Sequence, residues 1–240
     1  MPGGVPRRLA SLLLALTPWA PAQGLVPPID GQGQLSPRWR VAGLPQQKAP
    51  LTRYSAARVD GRAALQIDAD ASYGNFVLDA TGQPAPRRLS WSWRVDRPNP
   101  AADLRIKAGD DTAARVCLSF DLPLQRVPFM ERQLLRMARS ASAEALPAAT
   151  LCWVWGVQEA PGSLVDNPYS RRVRYLVLRG QADGDGRWYR EQRDVAADFQ
   201  RAFGDESPDL PPLAAVVVAG DADNTSGRSR AFVSGLSFDP

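Results

Sequence analysis

Leu89-Ser90-Trp91-Ser92-Trp93-Arg94-Val95 alternates apolar and polar residues without a break. A period of two puts Leu89, Trp91, Trp93 and Val95 on one face of a strand, with Ser90, Ser92 and Arg94 on the other. A helix would scatter those four apolar side chains around its circumference. The same alternation recurs downstream. Val116, Leu118 and Phe120 oppose Arg115, Cys117 and Ser119; Leu151, Trp153 and Trp155 oppose Cys152 and Val154; Val173, Tyr175 and Val177 oppose Arg172, Arg174 and Leu176. The unbroken apolar run Leu213 to Ala219 suits a central strand covered on both faces. Phe232, Ser234, Leu236 and Phe238 read as a last strand.

Turn chemistry separates these runs. Asp60-Gly61 stands between Arg53–Val59 and Arg62–Ala69, a two-residue hairpin signal. Gly82 with Pro84 and Pro86, and Asp183-Gly184-Asp185-Gly186, mark further turns. About ten short strands so punctuated predict an all-β chain, a jelly-roll-like β-sandwich with one inserted helix and one short helix. The inserted helix spans Pro128 to Leu146, with Phe129, Leu134, Leu135, Ala138 and Ala141 as its apolar stripe and Arg132, Arg136 and Arg139 gathered on one side. The alternatives for that arginine row are a solvated face and a membrane-surface helix. In the short helix Asp194 caps, Val195, Phe199 and Phe203 pack, and Gly204 terminates. Alternation places the paired tryptophans of Leu89–Val95 and Leu151–Trp155 in the core, where indoles supply large burial.

The N-terminus has another character. Arg7 and Arg8 precede the apolar run Leu9 to Leu16, and Ala20-Pro21-Ala22 places small residues before Gln23, the pattern of a secretory signal peptide. The expected organisation is a signal peptide over 1–22, an irregular leader over 23–43 with a strand around Trp39 to Val41, and a single sandwich domain over 44–240. The expected location is periplasmic or secreted, with no membrane span, since no later stretch reaches the ~20 apolar residues a spanning helix needs. Removing Arg7 and Arg8 lowers the formal net charge from +4, and only Lys48 and Lys107 are lysines. That mild arginine bias gives no nucleic-acid signature. Cys117 and Cys152, the only cysteines, lie in strand-like runs; they pair if those strands are neighbours, and otherwise act as buried hydrophobes.

Candidate chemistry is sparse. With no histidine in the chain, Ser-His-Asp and Cys-His catalysis and most zinc sites are excluded. Two acidic motifs remain. Asp110 and Asp111 precede Arg115 at a strand entrance, and Asp221, Asp223 and Asn224 follow the Leu213–Ala219 run. Asp221, Asp223 and Asn224 offer three oxygen ligands for a structural calcium, the one cofactor suggested, or else organise an Asx turn. Asp110, Asp111, Arg115, Asp223 and Asn224 either line a ligand site or form a structural network, with Arg115 paired to Asp111 or Asp223. Asp111 and Asp223 are the only carboxylate pair proposed for hydrolase or lyase chemistry. Trp188 and Arg190, beside Arg187 and Tyr189, are peripheral ligand candidates.

Lys107-Ala108-Gly109-Asp110-Asp111-Thr112-Ala113-Ala114-Arg115 resembles the signature of an uncharacterised bacterial secreted family described as a domain of unknown function. Trp91-Ser92-Trp93-Arg94-Val95, Asn167-Pro168-Tyr169, Trp188 with Arg193-Asp194-Val195, Ala202-Phe203-Gly204 and Asp221-Ala222-Asp223-Asn224-Thr225 extend the resemblance from about Leu44 to the C-terminus. It implies no activity or catalytic residue. Small exported sandwiches of this kind are similar to jelly-roll carbohydrate-binding modules, in which calcium is often structural, an analogy of fold alone. The expected function is therefore a non-catalytic module binding a glycan or another cell-envelope component. The alternatives are a carboxylate-dependent hydrolase or lyase, and an assembly partner that makes contact through the inserted helix.

Overall fold

The computed structural model describes residues 25–141 and 146–239. The expected signal peptide lies outside them, as does the start of the leader. Twelve strands form among the described residues: β1 (Trp39–Ala42), β2 (Arg53–Val59), β3 (Arg62–Asp70), β4 (Asn75–Asp79), β5 (Arg88–Arg97), β6 (Arg115–Phe120), β7 (Ala149–Trp155), β8 (Leu164–Asp166), β9 (Val173–Arg179), β10 (Tyr189–Asp194), β11 (Leu213–Ala219) and β12 (Arg228–Asp239). The helices are α1 (Phe129–Ala141) and α2 (Val195–Phe203). The strands build two facing sheets. The larger runs β1-β4-β11-β6-β7-β9-β8 and the smaller β10-β5-β12-β3-β2. The fold is an all-β sandwich; every strand pair is antiparallel except β7 with β9.

The alternation read from the sequence sets the two faces. From the smaller sheet Leu65, Ile67, Leu89, Trp91, Trp93 and Val95 point inward; from the larger, Val116, Leu118, Phe120, Leu151, Trp153 and Trp155 meet them. Trp91 lies against Trp153 with ring centroids 5.7 Å apart, and Trp93 against Trp155 at 5.5 Å. Three of the four indole nitrogens find partners where the core meets its rim, whereas Trp91 Nε1 is buried without one. Trp93 Nε1 donates to Glu191 Oε1 at 3.0 Å and Trp153 Nε1 to Asp198 Oδ2 at 2.7 Å. Those two carboxylates are in turn bound by Arg179 and Arg193.

Asp60 and Gly61 take positive φ values of 49° and 77°, the geometry of a tight hairpin turn between β2 and β3. The last strand departs from simple alternation. Its pairing with β5 shifts between Ser234 and Ser237, and Gly235 sits at φ 62°. This bulge turns Leu236 into the core while Ser234 faces outward. α2 forms where expected: Asp194 accepts from the Ala197 N–H at 2.9 Å and Phe199 and Phe203 are buried. Gly204 ends it in the right-handed region, so no left-handed cap is used. α1 is shorter than Pro128–Leu146, and its expected apolar stripe is divided: Leu135 is buried, whereas Phe129 and Leu134 stand in solvent.

A second, smaller apolar cluster covers the outer face of the larger sheet, where Leu104 from the loop before β6 packs on Cys117, Cys152, Val154, Tyr175 and Val177. Cys117 and Cys152 are direct cross-strand partners of β6 and β7, with Cα atoms 4.0 Å apart, and they form a disulfide.

Candidate functional site

The two acidic motifs meet each other. Gly220 makes this possible: a Cβ there would stand 2.4 Å from the Ala113 carbonyl oxygen. The two segments then dock through Asp221 N–H donating to Thr112 O at 2.9 Å and Thr112 N–H to Asp221 Oδ1 at 2.8 Å. The other oxygen of Asp221 receives Arg115 Nη1 at 2.7 Å, with both side chains almost wholly buried. The structural ion pair is thus Arg115 with Asp221; the expected pairing of Arg115 with Asp111 or Asp223 does not form. The reason is geometric. Asp111 is occupied instead by five donors from other segments: the N–H and Nδ2 of Asn224, the N–H and Oγ1 of Thr225, and Asn99 Nδ2, at 2.5 to 3.4 Å.

Asp110 takes a third direction. Its oxygens accept from Tyr175 Oη at 3.0 Å and Asn167 Nδ2 at 2.6 Å. Tyr169 Oη donates to Asn224 Oδ1 at 2.5 Å. Asn167 and Tyr169 belong to the turn before β9, which the sequence singled out only through the family resemblance. Tyr175 entered as one member of an alternating run. Nothing in the spacing of these residues signals that their hydroxyl and amide groups serve Asp110 across 57 to 65 positions.

Asp221, Asp223 and Asn224 do not turn their oxygens to a common point: Asp221 serves Arg115 and Thr112, and Asn224 serves Asp111 and Tyr169. Among the described residues no group of three or more carboxylates or cysteines is arranged to hold a metal ion. Asp223 Oδ1 is buried without a hydrogen-bond partner.

Four carboxylates around one guanidinium leave a local excess of negative charge. Burial pushes Asp221 up to about 7, with Arg115 opposing and Asp111 adding to the rise. Burial raises Asp110 and Asp223 as well. Burial disfavours the charge of Arg115, but the Asp221 carboxylate and its neighbours outweigh it and hold the guanidinium protonated. The raised Asp221 binds its proton more tightly folded than unfolded. Its contribution to stability is full below the ordinary value of 3.8 and is lost as pH rises through about 7. Asp103 behaves oppositely. Its hydrogen bond to Arg105 lowers it to about 2, so its contribution disappears only as pH falls below the ordinary range. The melting temperature is therefore expected to be several degrees higher at pH 5 than at pH 8, and to fall again below pH 4. A flat profile between pH 5 and 8 in differential scanning calorimetry would rule out the raised carboxylates.

A different place is open to ligands. On the outer face of the smaller sheet, a trough of about 390 Å³ is bordered by Arg62, Ser90, Ser92, Trp188, Arg190 and Ser237. The β12 bulge shapes it, because a Cβ on Gly235 would meet open space there. A neighbouring hollow of about 340 Å³ shares Gly235 and Ser237 and reaches Pro27 to Asp30 of the leader. Trp188 is half-exposed. Its Nε1 donates to Asp60 Oδ2 at 3.2 Å, and the Arg62 guanidinium lies 5.4 Å from its ring centroid. Arg190 stands opposite Ser92 in register. Of the expected ligand residues, Trp188 and Arg190 therefore line this trough, while Asp110, Asp111 and Arg115 are buried near the other sheet. Arg62, Ser90 and Ser237 were not singled out. Ser90 entered only in the polar half of the Leu89–Val95 alternation, and nothing in the sequence pattern marked Arg62 or Ser237.

No curated protein matches the chain in sequence. Among solved structures, it is similar to an X-ray structure of a non-crystalline cellulose specific carbohydrate-binding module, at 14% identity and TM-score 0.37, over 92% of this chain and 97% of that one. A family model matches residues 37–237, and the chain belongs to that family, whose description is "Protein of unknown function (DUF3047)".

Proposed function

We propose that this protein is an exported, non-catalytic binding module whose ligand lies in the trough beside Trp188 and is a glycan or glycan-bearing envelope component. The observation that carries the proposal is an indole half-open to solvent and anchored at its nitrogen, at the rim of a depression lined by two arginines and three serines. An indole face packs against the C–H face of a sugar ring. Guanidinium groups donate paired hydrogen bonds to vicinal hydroxyls or to a carboxylate. The volume falls at the lower end of the range for ligand pockets. Export is supported by the N-terminal pattern of Arg7, Arg8, the run Leu9 to Leu16 and Ala20-Pro21-Ala22, and by the disulfide, which persists in oxidising compartments.

A hydrolase built on Asp111 and Asp223 has less support, because both oxygens of Asp111 are occupied by five donors and no proton or nucleophilic lone pair is free there. Titration with a panel of neutral and uronate-bearing oligosaccharides at millimolar concentration tests the binding reading. Trp188→Ala is expected to weaken the best binder by about 2 kcal/mol, roughly thirtyfold, as for a central aromatic contact. No binding across the panel, or equal affinity in the variant, would remove the trough from consideration.

A further inference from the structure

The trough beside Trp188 is bordered by hydrogen-bond donors and by no carboxylate. Ser90 and Ser92 of β5 and Gly235 and Ser237 of β12 lie along its middle, while Arg190 reaches it from β10 and Arg62 from β3. In the strand order β10-β5-β12-β3 the two arginines start three spacings apart, about 14 Å, so they border the trough from opposite sides. Among the described residues neither guanidinium is within ion-pair reach of a carboxylate. Their neighbours differ. Arg94 is paired with Asp60 at 2.7 Å and Asp96 at 2.5 Å, and Arg187 with Asp185 at 2.5 Å. The nearby acids are engaged elsewhere. Asp60 Oδ2 accepts from Arg94 and from Trp188 Nε1. Glu191, next to Arg190 in the chain, takes the other face of its strand and accepts from Trp93 Nε1 and Arg179. Asp30, in the adjoining hollow, accepts from the N–H groups of Gln32 and Gln34 in its own turn. Arg62 lies over the Trp188 ring, a contact that uses none of its N–H donors.

We propose that the trough selects an acidic sugar unit, with Arg62 and Arg190 holding the carboxylate of a uronate while Trp188 and the serines meet the rest of its ring. This rests on the glycan reading of the trough and names the class of glycan. A neutral sugar presents hydroxyls that donate as well as accept, and a site built for one supplies acceptors for those protons. Among the side chains bordering the trough only the serine oxygens accept. A carboxylate is acceptor only, and it matches guanidinium forks that have no other partner. A uronate carries that carboxylate directly on its ring, beside the C–H face that an indole covers. One unit can therefore engage both the arginines and Trp188. A sulfate ester stands one oxygen farther from the ring.

Titration calorimetry of the full chain with oligosaccharides of galacturonate, glucuronate and mannuronate, each beside its methyl ester, tests this. Esterification removes the charge and keeps the ring and its hydroxyls. The expected result is a free acid that binds about tenfold or more tighter than its ester, with a difference that shrinks at about 0.5 M salt. The double variant Arg62→Gln/Arg190→Gln should bring acid and ester to within about twofold of each other. Both replaced side chains are exposed, and an unchanged melting curve checks that the variant folds. Arg97→Gln/Arg136→Gln removes the same charge from exposed positions outside the trough and should keep the preference. Equal affinity for acid and ester overturns the proposal; if Trp188→Ala still weakens both, the glycan reading stands without it. No binding by any saccharide removes the two together. A preference eroded as much by the control variant belongs to net charge and overturns the proposal. So does tighter binding of a sulfated galactan than of every uronate, which would assign the arginines to sulfate.

Discussion

Arg115→Met is expected to destabilise the fold by about 3–5 kcal/mol at pH 8, the usual cost of removing one partner from a buried ion pair. The physical cause is that Asp221 is left with a single backbone N–H and no countercharge, deep between the two acidic motifs. Asp110 loses the same positive neighbour. For a domain of this size the melting temperature should fall by roughly 6–20 °C. The cost should shrink at pH 5. Burial already raises Asp221 to about 7, and losing the guanidinium raises it further, so below that pH a proton replaces the missing charge. The double variant Arg115→Met/Asp221→Asn should recover much of the loss, since removing both charges is far less costly than stranding one. A single variant that melts within 2 °C of the parent at pH 8 would show that Asp221 is neutral in the folded protein and that the pair is no ion pair.

The second large effect concerns the disulfide. Replacing both Cys117 and Cys152 with alanine is expected to cost about 3–4 kcal/mol, because the bond closes a loop of 35 residues in the unfolded chain. That loop contains α1, so the bond holds β6 and β7 together across the inserted helix. The melting temperature should drop by roughly 7–14 °C. Because the constraint acts on the unfolded ensemble, the denaturant slope should also rise, as a freed chain exposes more surface. Identical urea midpoints with and without reductant would contradict the loop-closure account.

The strands were legible because their chemistry is local. Leu89–Val95, Arg115–Phe120, Leu151–Trp155 and Leu213–Ala219 each carry a pattern that commits one face to the core, and Asp60-Gly61 carries the backbone preference of its turn. β4, β8 and β10 were not visible. They are short or polar, and their pairing comes from neighbours far away in sequence. The inserted helix was legible as a helix, but its orientation was not. Phe129 and Leu134 read as core, yet the body offers α1 Arg172, which draws Glu131 inward and turns the apolar side to solvent.

The candidate sites divide along the same line. By itself the sequence determined that the chain is all-β, that four tryptophans fill the sandwich and that histidine chemistry is absent, because each follows from residue type and short-range period. It also located the two acidic motifs. What they are for was decided only when β6 and β11 came together and Gly220 let the backbones touch, giving Asp221 to Arg115 and Asp111 to the Asn224–Thr225 loop. Likewise the trough at Trp188 exists only because β5, β10 and β12 are neighbours and a bulge recesses Gly235. Pairing across more than a hundred residues leaves no periodic trace, so tertiary structure alone could separate the buried network from the open surface.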